Sequence, residues 1–115
     1  MQKLEGGGPD GADGFEIVVE RDLQGVRVKI AGELDIATVP ELDRVLDELD
    51  GGGHDRLLID LVGVQFIDSG GLAGILRAWR AAERSGHRLT IRRGSPQAQK
   101  LFELTGMLDR LTFED

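Results

Sequence analysis

A chain of 115 residues with 17 glycines, a formal charge of −7 and no cysteine is sized for a single domain. The missing cysteine excludes disulfide frameworks, thiolate metal sites and cysteine nucleophiles. The acidity argues against nucleic acid, which binds through a basic footprint, and no apolar run nears the ~18–20 residues of a membrane-crossing helix.

Residues 1–14 hold Gly6, Gly7, Gly8, Gly11 and Gly14 among polar side chains. They are expected to form a flexible tail, because they bury too little apolar surface to offset the entropy of ordering. Met1-Gln2-Lys3-Leu4 is not followed by a signal-peptide core, so a soluble, cytoplasmic protein is expected, with its domain at 15–115.

Phe15, Ile17 and Val19 alternate with Glu16 and Glu20, the pattern of a strand with one wet face. Val26, Val28 and Ile30 resume the alternation after Gln24-Gly25, which predicts a hairpin. Gly32-Glu33-Leu34-Asp35 ends that strand, and Thr38 or Asp35 is placed to cap a helix with Pro40 in its first turn. Leu42, Val45, Leu46 and Leu49 recur at i, i+3, i+4 and i+7, a buried helical stripe that Gly51-Gly52-Gly53 terminates. Leu57-Leu58-Ile59-Asp60-Leu61 reads as a strand inside the sheet, continuing through Val64 and Phe66.

Leu72, Ile75, Leu76, Trp79 and Ala82 form the stripe of a second helix, ended by Ser85-Gly86, and Trp79 is read as core packing. Leu89 and Ile91 mark another strand. Ser95-Pro96 starts a third helix with Ala98, Leu101 and Phe102 facing inward and Gly106 closing it. Leu111 and Phe113 suggest a short terminal strand. The order predicts an α/β fold: a mixed β-sheet, opening with an antiparallel hairpin and continuing with strands that alternate with helices, covered by those helices.

The stretch Phe66-Ile67-Asp68-Ser69-Gly70-Gly71-Leu72 carries the functional signal. A buried strand delivers an acid and a hydroxyl to a helix N-terminus, where backbone N–H groups lack intrahelical partners and suit an anion. Projected at 100° per residue, the second helix sets Gly70, Gly74 and Ala81 opposite its apolar stripe, with Ala78 to one side. Glycine inside a helix costs ~1 kcal/mol relative to alanine, so Gly74 suggests a flat face for another backbone. Arg77, Arg80 and Arg84 flank that face and would orient an acidic partner. The expectation is a docking surface of this ridge with the 68–71 turn, such that Gly74→Leu abolishes binding with little effect on stability. The charge is uneven in a way that suits a polar protein partner: 16 acids and 6 bases up to Asp68, 5 acids and 8 bases from Ser69.

With these elements placed, the chain resembles the STAS-domain family, and within it the bacterial anti-sigma factor antagonists. The resemblance spans roughly residues 15–115. It rests on Leu61-Val62-Gly63-Val64-Gln65-Phe66-Ile67-Asp68-Ser69-Gly70-Gly71-Leu72, on Gly32-Glu33-Leu34-Asp35 with Pro40-Glu41-Leu42, and on Ser95-Pro96 with Leu101-Phe102-Glu103-Leu104-Thr105-Gly106. It implies partner switching: a non-enzymatic protein binds an anti-sigma factor that is also a serine kinase, releases a sigma factor, is switched off by phosphorylation at the helix N-terminus, and is restored by a phosphatase. The family's phosphoacceptor position is Gly70 here, which has no hydroxyl. Either Ser69 accepts the phosphate instead, or the protein is a constitutive binder; the second is preferred. Ser69 otherwise reads as a helix N-cap. The resemblance carries over a recognition role for Asp68, and Asp35 with Glu33 are placed to flank the same surface.

Asp68 has no companion acid, base or histidine that would make it catalytic, and holding its turn through backbone hydrogen bonds is its expected work. Gly70-Gly71-x-x-Gly74 lacks dinucleotide-loop spacing, and there is no Walker lysine. His54 and His87 have no metal-ligand company. No cofactor is expected, and a monomer is. The competing classes are an accessory subunit of a stressosome-like or lipid-transport complex and a small-ligand sensor.

Overall fold

The computed structural model describes residues 2–6, 14–50 and 54–114. Among the described residues six strands form one sheet whose spatial order follows the chain: β1 (Gln2–Gly6), β2 (Glu16–Asp22), β3 (Gly25–Leu34), β4 (Arg56–Ile67), β5 (Arg88–Arg92) and β6 (Phe113–Glu114). β1, β2 and β3 pair antiparallel, and the pairs from β3 to β6 are parallel. Each parallel step passes through a helix: α1 (Val39–Asp50), α2 (Ser69–Ser85) and α3 (Pro96–Leu104). The mixed sheet and its helical cover are the α/β arrangement that the periodicity predicts.

One expectation needs correction. Residues 2–6, placed in a flexible tail, form an edge strand with Gln2 opposite Arg21 and Gly6 opposite Ile17. Backbone pairing, which hydropathy does not register, holds this segment to the sheet. Residues 7–13, which include most of the glycines of that stretch, lie outside the described residues.

The β2–β3 hairpin turns at Leu23-Gln24, where the Asp22 carboxylate accepts the Gln24 N–H (2.7 Å) and the Gly25 N–H (3.2 Å). Gly25 sits at φ 140°, and a Cβ there would strike the Arg56 carbonyl oxygen, so glycine is required where β3 starts beside β4. In β2, β3 and β5 alternate residues are buried: Ile17 and Val19, Val26, Val28 and Ile30, Leu89 and Ile91. The intervening positions stay half-exposed or exposed. Right-handed crossovers between successive parallel strands place the three helices on one face, which leaves the opposite face of the sheet open among the described residues.

The core lies between sheet and helices. Leu42, Val45 and Leu49 bring the stripe of α1 down to 0–2% exposure, which stabilises by about 1.5–3 kcal/mol per side chain. Leu72 and Ile75 of α2 and Ala98 and Phe102 of α3 are buried against the same core. Trp79 is only partly buried, packed against the core with the Arg110 guanidinium 5.4 Å from its ring centroid.

Candidate functional site

The last paired residues of the two central strands, Leu34 of β3 and Ile67 of β4, end side by side. Two loops leave from there: 35–38 into α1, and Asp68 into α2. Asp68 fastens both. Its own N–H donates to the Leu34 carbonyl (3.2 Å), one carboxylate oxygen accepts the Gly71 N–H (2.9 Å), and the other accepts the Ile36 N–H (3.3 Å). Its backbone is extended (φ −107°, ψ −175°), the geometry of an N-cap. Asp68, not Ser69, therefore caps α2. Both carboxylate oxygens are engaged with backbone, the turn-holding role expected of this residue.

The neighbouring loop is built the same way. Asp35 Oδ1 accepts the N–H groups of Ala37 (2.9 Å) and Thr38 (3.1 Å). Buried Thr38 locks it, accepting the Asp35 N–H at 2.9 Å and donating to the Glu33 carbonyl at 2.8 Å. With its backbone so fixed, Ile36 stands 75% exposed at the rim. Phe66, the last outward residue of β4, is 40% exposed.

Ser69 is the exposed first residue of α2. The first intrahelical bond runs from the Leu72 N–H to the Asp68 carbonyl (2.9 Å), so the Ser69 and Gly70 N–H groups precede the helical ladder. A Cβ on Gly70 would lie 3.0 Å from both Cα and Cβ of Ile36, so the loop has settled into the space a side chain there would need. Gly71 is under a harder constraint: a Cβ would strike the Leu34 carbonyl oxygen and approach Ile67 Cγ1 to 2.9 Å.

A third element steadies the turn. Beyond Asp60, β4 no longer pairs with β5, and Gln97 of α3 takes over: its Oε1 accepts the Ile67 N–H (3.0 Å) and its Nε2 donates to the Ile67 carbonyl (3.1 Å). Ser95 caps α3 by accepting the Ala98 N–H (3.2 Å) and donates to the Gln65 carbonyl (3.0 Å).

The predicted site is thus partly assembled. Asp35, Asp68, Ser69, Gly70 and Gly71 converge at one end of the molecule. Gly74 and Arg77 do not join them. Gly74 is buried, and a Cβ there would collide with Val39 Cγ2 of α1; Ala78, one turn on, is 6% exposed. Arg77 makes a two-pronged ion pair with Asp43 of α1 (Nε to Oδ1 3.2 Å, the terminal nitrogen to Oδ2 2.8 Å). The ridge of small residues is a seam between α2 and α1, not an open docking face. The physical reason is that α2 has two packed sides, large residues on the sheet and small ones on its neighbour. Thr38 and Ser95 were expected only as helix caps and not as parts of this site, and Ile36 and Gln97 were not singled out; of these two only Ile36 left a signal, a lone large apolar residue between Asp35 and Ala37.

Among the described residues no group of three or more His, Cys, Asp or Glu is placed to hold a metal ion. No described helix is long and apolar enough to cross a membrane. The His54 and His87 rings lie tilted against each other by 48°, with centroids 4.5 Å apart.

A family model described as Mlab, STAS domain matches residues 17–112. Over 82 residues, 71% of this chain and 76% of the relative, the sequence is 37% identical to an anti-sigma-B factor antagonist of Staphylococcus aureus. Among solved structures, an anti-sigma factor antagonist from Mycobacterium paratuberculosis is similar with a TM-score of 0.79 and 22% identity, covering 90% of this chain and 88% of that one. The phosphorylated form of the Bacillus cell fate determinant SpoIIAA is similar with a TM-score of 0.68 and 21% identity, covering 86% and 91%. At these identities the two structures show the shared fold.

Proposed function

The chain belongs to the STAS-domain family, and within it we propose that it acts as an anti-sigma factor antagonist, a non-enzymatic binding protein of the cytoplasm. Its docking surface is the end of the molecule where Asp68, Ser69 and Gly70 meet the loop carrying Asp35 and Ile36. By occupying an anti-sigma factor there, it frees a sigma factor to direct transcription. The partner is expected to be of the serine-kinase type.

The observation that carries this reading is that Ile36 occupies the space a side chain at position 70 would need. At the position where the family receives phosphate there is no hydroxyl, and the space is held by an exposed isoleucine 3.0 Å from where a Cβ would sit. A phosphate brings roughly −1.5 to −2 charge and three acceptor oxygens to a surface that must otherwise be desolvated by the partner. Here an apolar side chain stands in that place, and aliphatic surface entering a partner's pocket favours association. The antagonist is therefore constitutively competent to bind.

The test is to incubate the protein with its anti-sigma kinase and ATP, map phosphate by mass spectrometry, and follow the complex by gel filtration. No phosphate at the α2 N-terminus and a persistent complex are expected. Phosphate on Ser69 with loss of the complex would overturn the constitutive reading. In the same assay, Ile36→Asp is expected to weaken the complex by roughly a hundredfold, the range of an interface anchor, with an unchanged melting temperature. Failure of the parent protein to bind any anti-sigma factor would overturn the assignment itself.

A further inference from the structure

The open face of the sheet carries a concentration of positive charge that the docking end does not use. Arg56 and Arg88 are register partners on β4 and β5, and Arg27 on β3 is the register partner of Leu58, two residues from Arg56 on the same side. With Leu58 and Thr90 between them they line a shallow cleft of about 390 Å³.

Among the described residues, none of these three arginines forms an ion pair, whereas Arg44, Arg77 and Arg92 all do. Of the nearest acids Glu20 shares this face, opposite Arg27 but in no ion pair with it, and the others are engaged elsewhere. The Asp22 carboxylate holds the hairpin turn, and Asp60 and Glu114 pair with Arg92. Like charges directly opposite on neighbouring strands are destabilising. In a chain with 21 acids, leaving Arg56 beside Arg88 without one is a structural expense that an external anion would relieve.

We propose that this face is a second docking surface, for an acidic protein segment lying extended across β3, β4 and β5. The strands are roughly 4.8 Å apart, so the three guanidinium groups spread over about 10 Å, too wide for one carboxylate. Alternate residues of an extended segment are about 6.6–7 Å apart and present side chains on one side, which suits two or three carboxylates on this array. Arginine takes each in paired, charge-assisted hydrogen bonds. Half-buried Leu58 and Thr90 supply a floor for the residues between. The surface begins at the opposite end of β4 from Asp68, up to about 36 Å away along 12 residues of strand. Both partners can therefore be held at once, and the proposal does not depend on what binds at Asp68.

The experiment is an NMR titration of the whole protein with a synthetic peptide of alternating glutamate and valine, beside its lysine–valine counterpart and a single-stranded DNA oligonucleotide. Saturable amide shifts confined to residues around 27, 56–58 and 88–90, seen only with the acidic peptide, are expected. The Arg56→Ser/Arg88→Ser double variant, at exposed positions, is expected to weaken that binding by roughly tenfold and to keep its amide spectrum elsewhere. Absence of saturable shifts, shifts centred on Ser69, or stronger binding of the DNA would overturn the proposal. So would concentration-dependent dimerisation that the double variant removes, since the face would then serve a second copy of this chain.

Discussion

Two glycines a turn apart on α2 do opposite work. At Gly71, in the first turn of the helix, the missing side chain lets that turn sit on the Leu34 carbonyl. At Gly74 the missing side chain lets α1 close over the helix, with Val39 in the space. One absence shapes a surface and the other a seam. The comparison teaches that a stripe of small residues reports close approach, and that the neighbour it admits can be the protein's own chain.

The largest expected effect comes from filling the seam. Gly74→Leu is expected to destabilise the fold by about 3 kcal/mol, the upper end of overpacking, because α1 and α2 must part along their contact. A urea midpoint equal to that of the parent, with partner binding lost, would restore the exposed-ridge reading. Removing the fastener of the open end is next. Asp68→Ala deprives the Gly71 and Ile36 N–H groups of their acceptor and is expected to cost about 1–2 kcal/mol, as lost caps do. It should weaken anti-sigma factor binding while Gly74→Ala variants that remain folded retain it; calorimetric titration at a temperature where both are native separates the two regions. The smallest effect is expected at Arg77→Ala. Its ion pair with Asp43 is about half exposed, so the loss should stay within about 0.5 kcal/mol with partner binding unchanged. Weakened binding there would return the flank of α2 to the docking site.

Much of this fold was legible because its elements obey simple periods. The alternation of Ile17 and Val19 with their acidic neighbours, the stripe of Leu42, Val45 and Leu49, and the Ser95-Pro96 start each correspond to the element found. β1 was not legible, since what holds residues 2–6 is the ladder to β2 and not a hydrophobic pattern. The acid-bearing turn of the candidate site was visible as strand, Asp-Ser-Gly-Gly and helix. Its extent was not. A helical projection gives the angle of Gly74 but not what faces it, and nothing local announces that Gln97, thirty residues away, bonds to Ile67. The exposure of Ile36 likewise depends on two loops leaving adjacent strands together.

The Gln97 amide has a further consequence. Where β5 falls away, the backbone of β4 at Ile67 would present a bare donor and acceptor, the kind of rim onto which a strand from another molecule can add. The glutamine side chain fills both valences and so acts as a plug against fibre-like growth beside the turn. Ile36 can thus stand exposed at that end without the adjoining sheet becoming sticky toward copies of the chain.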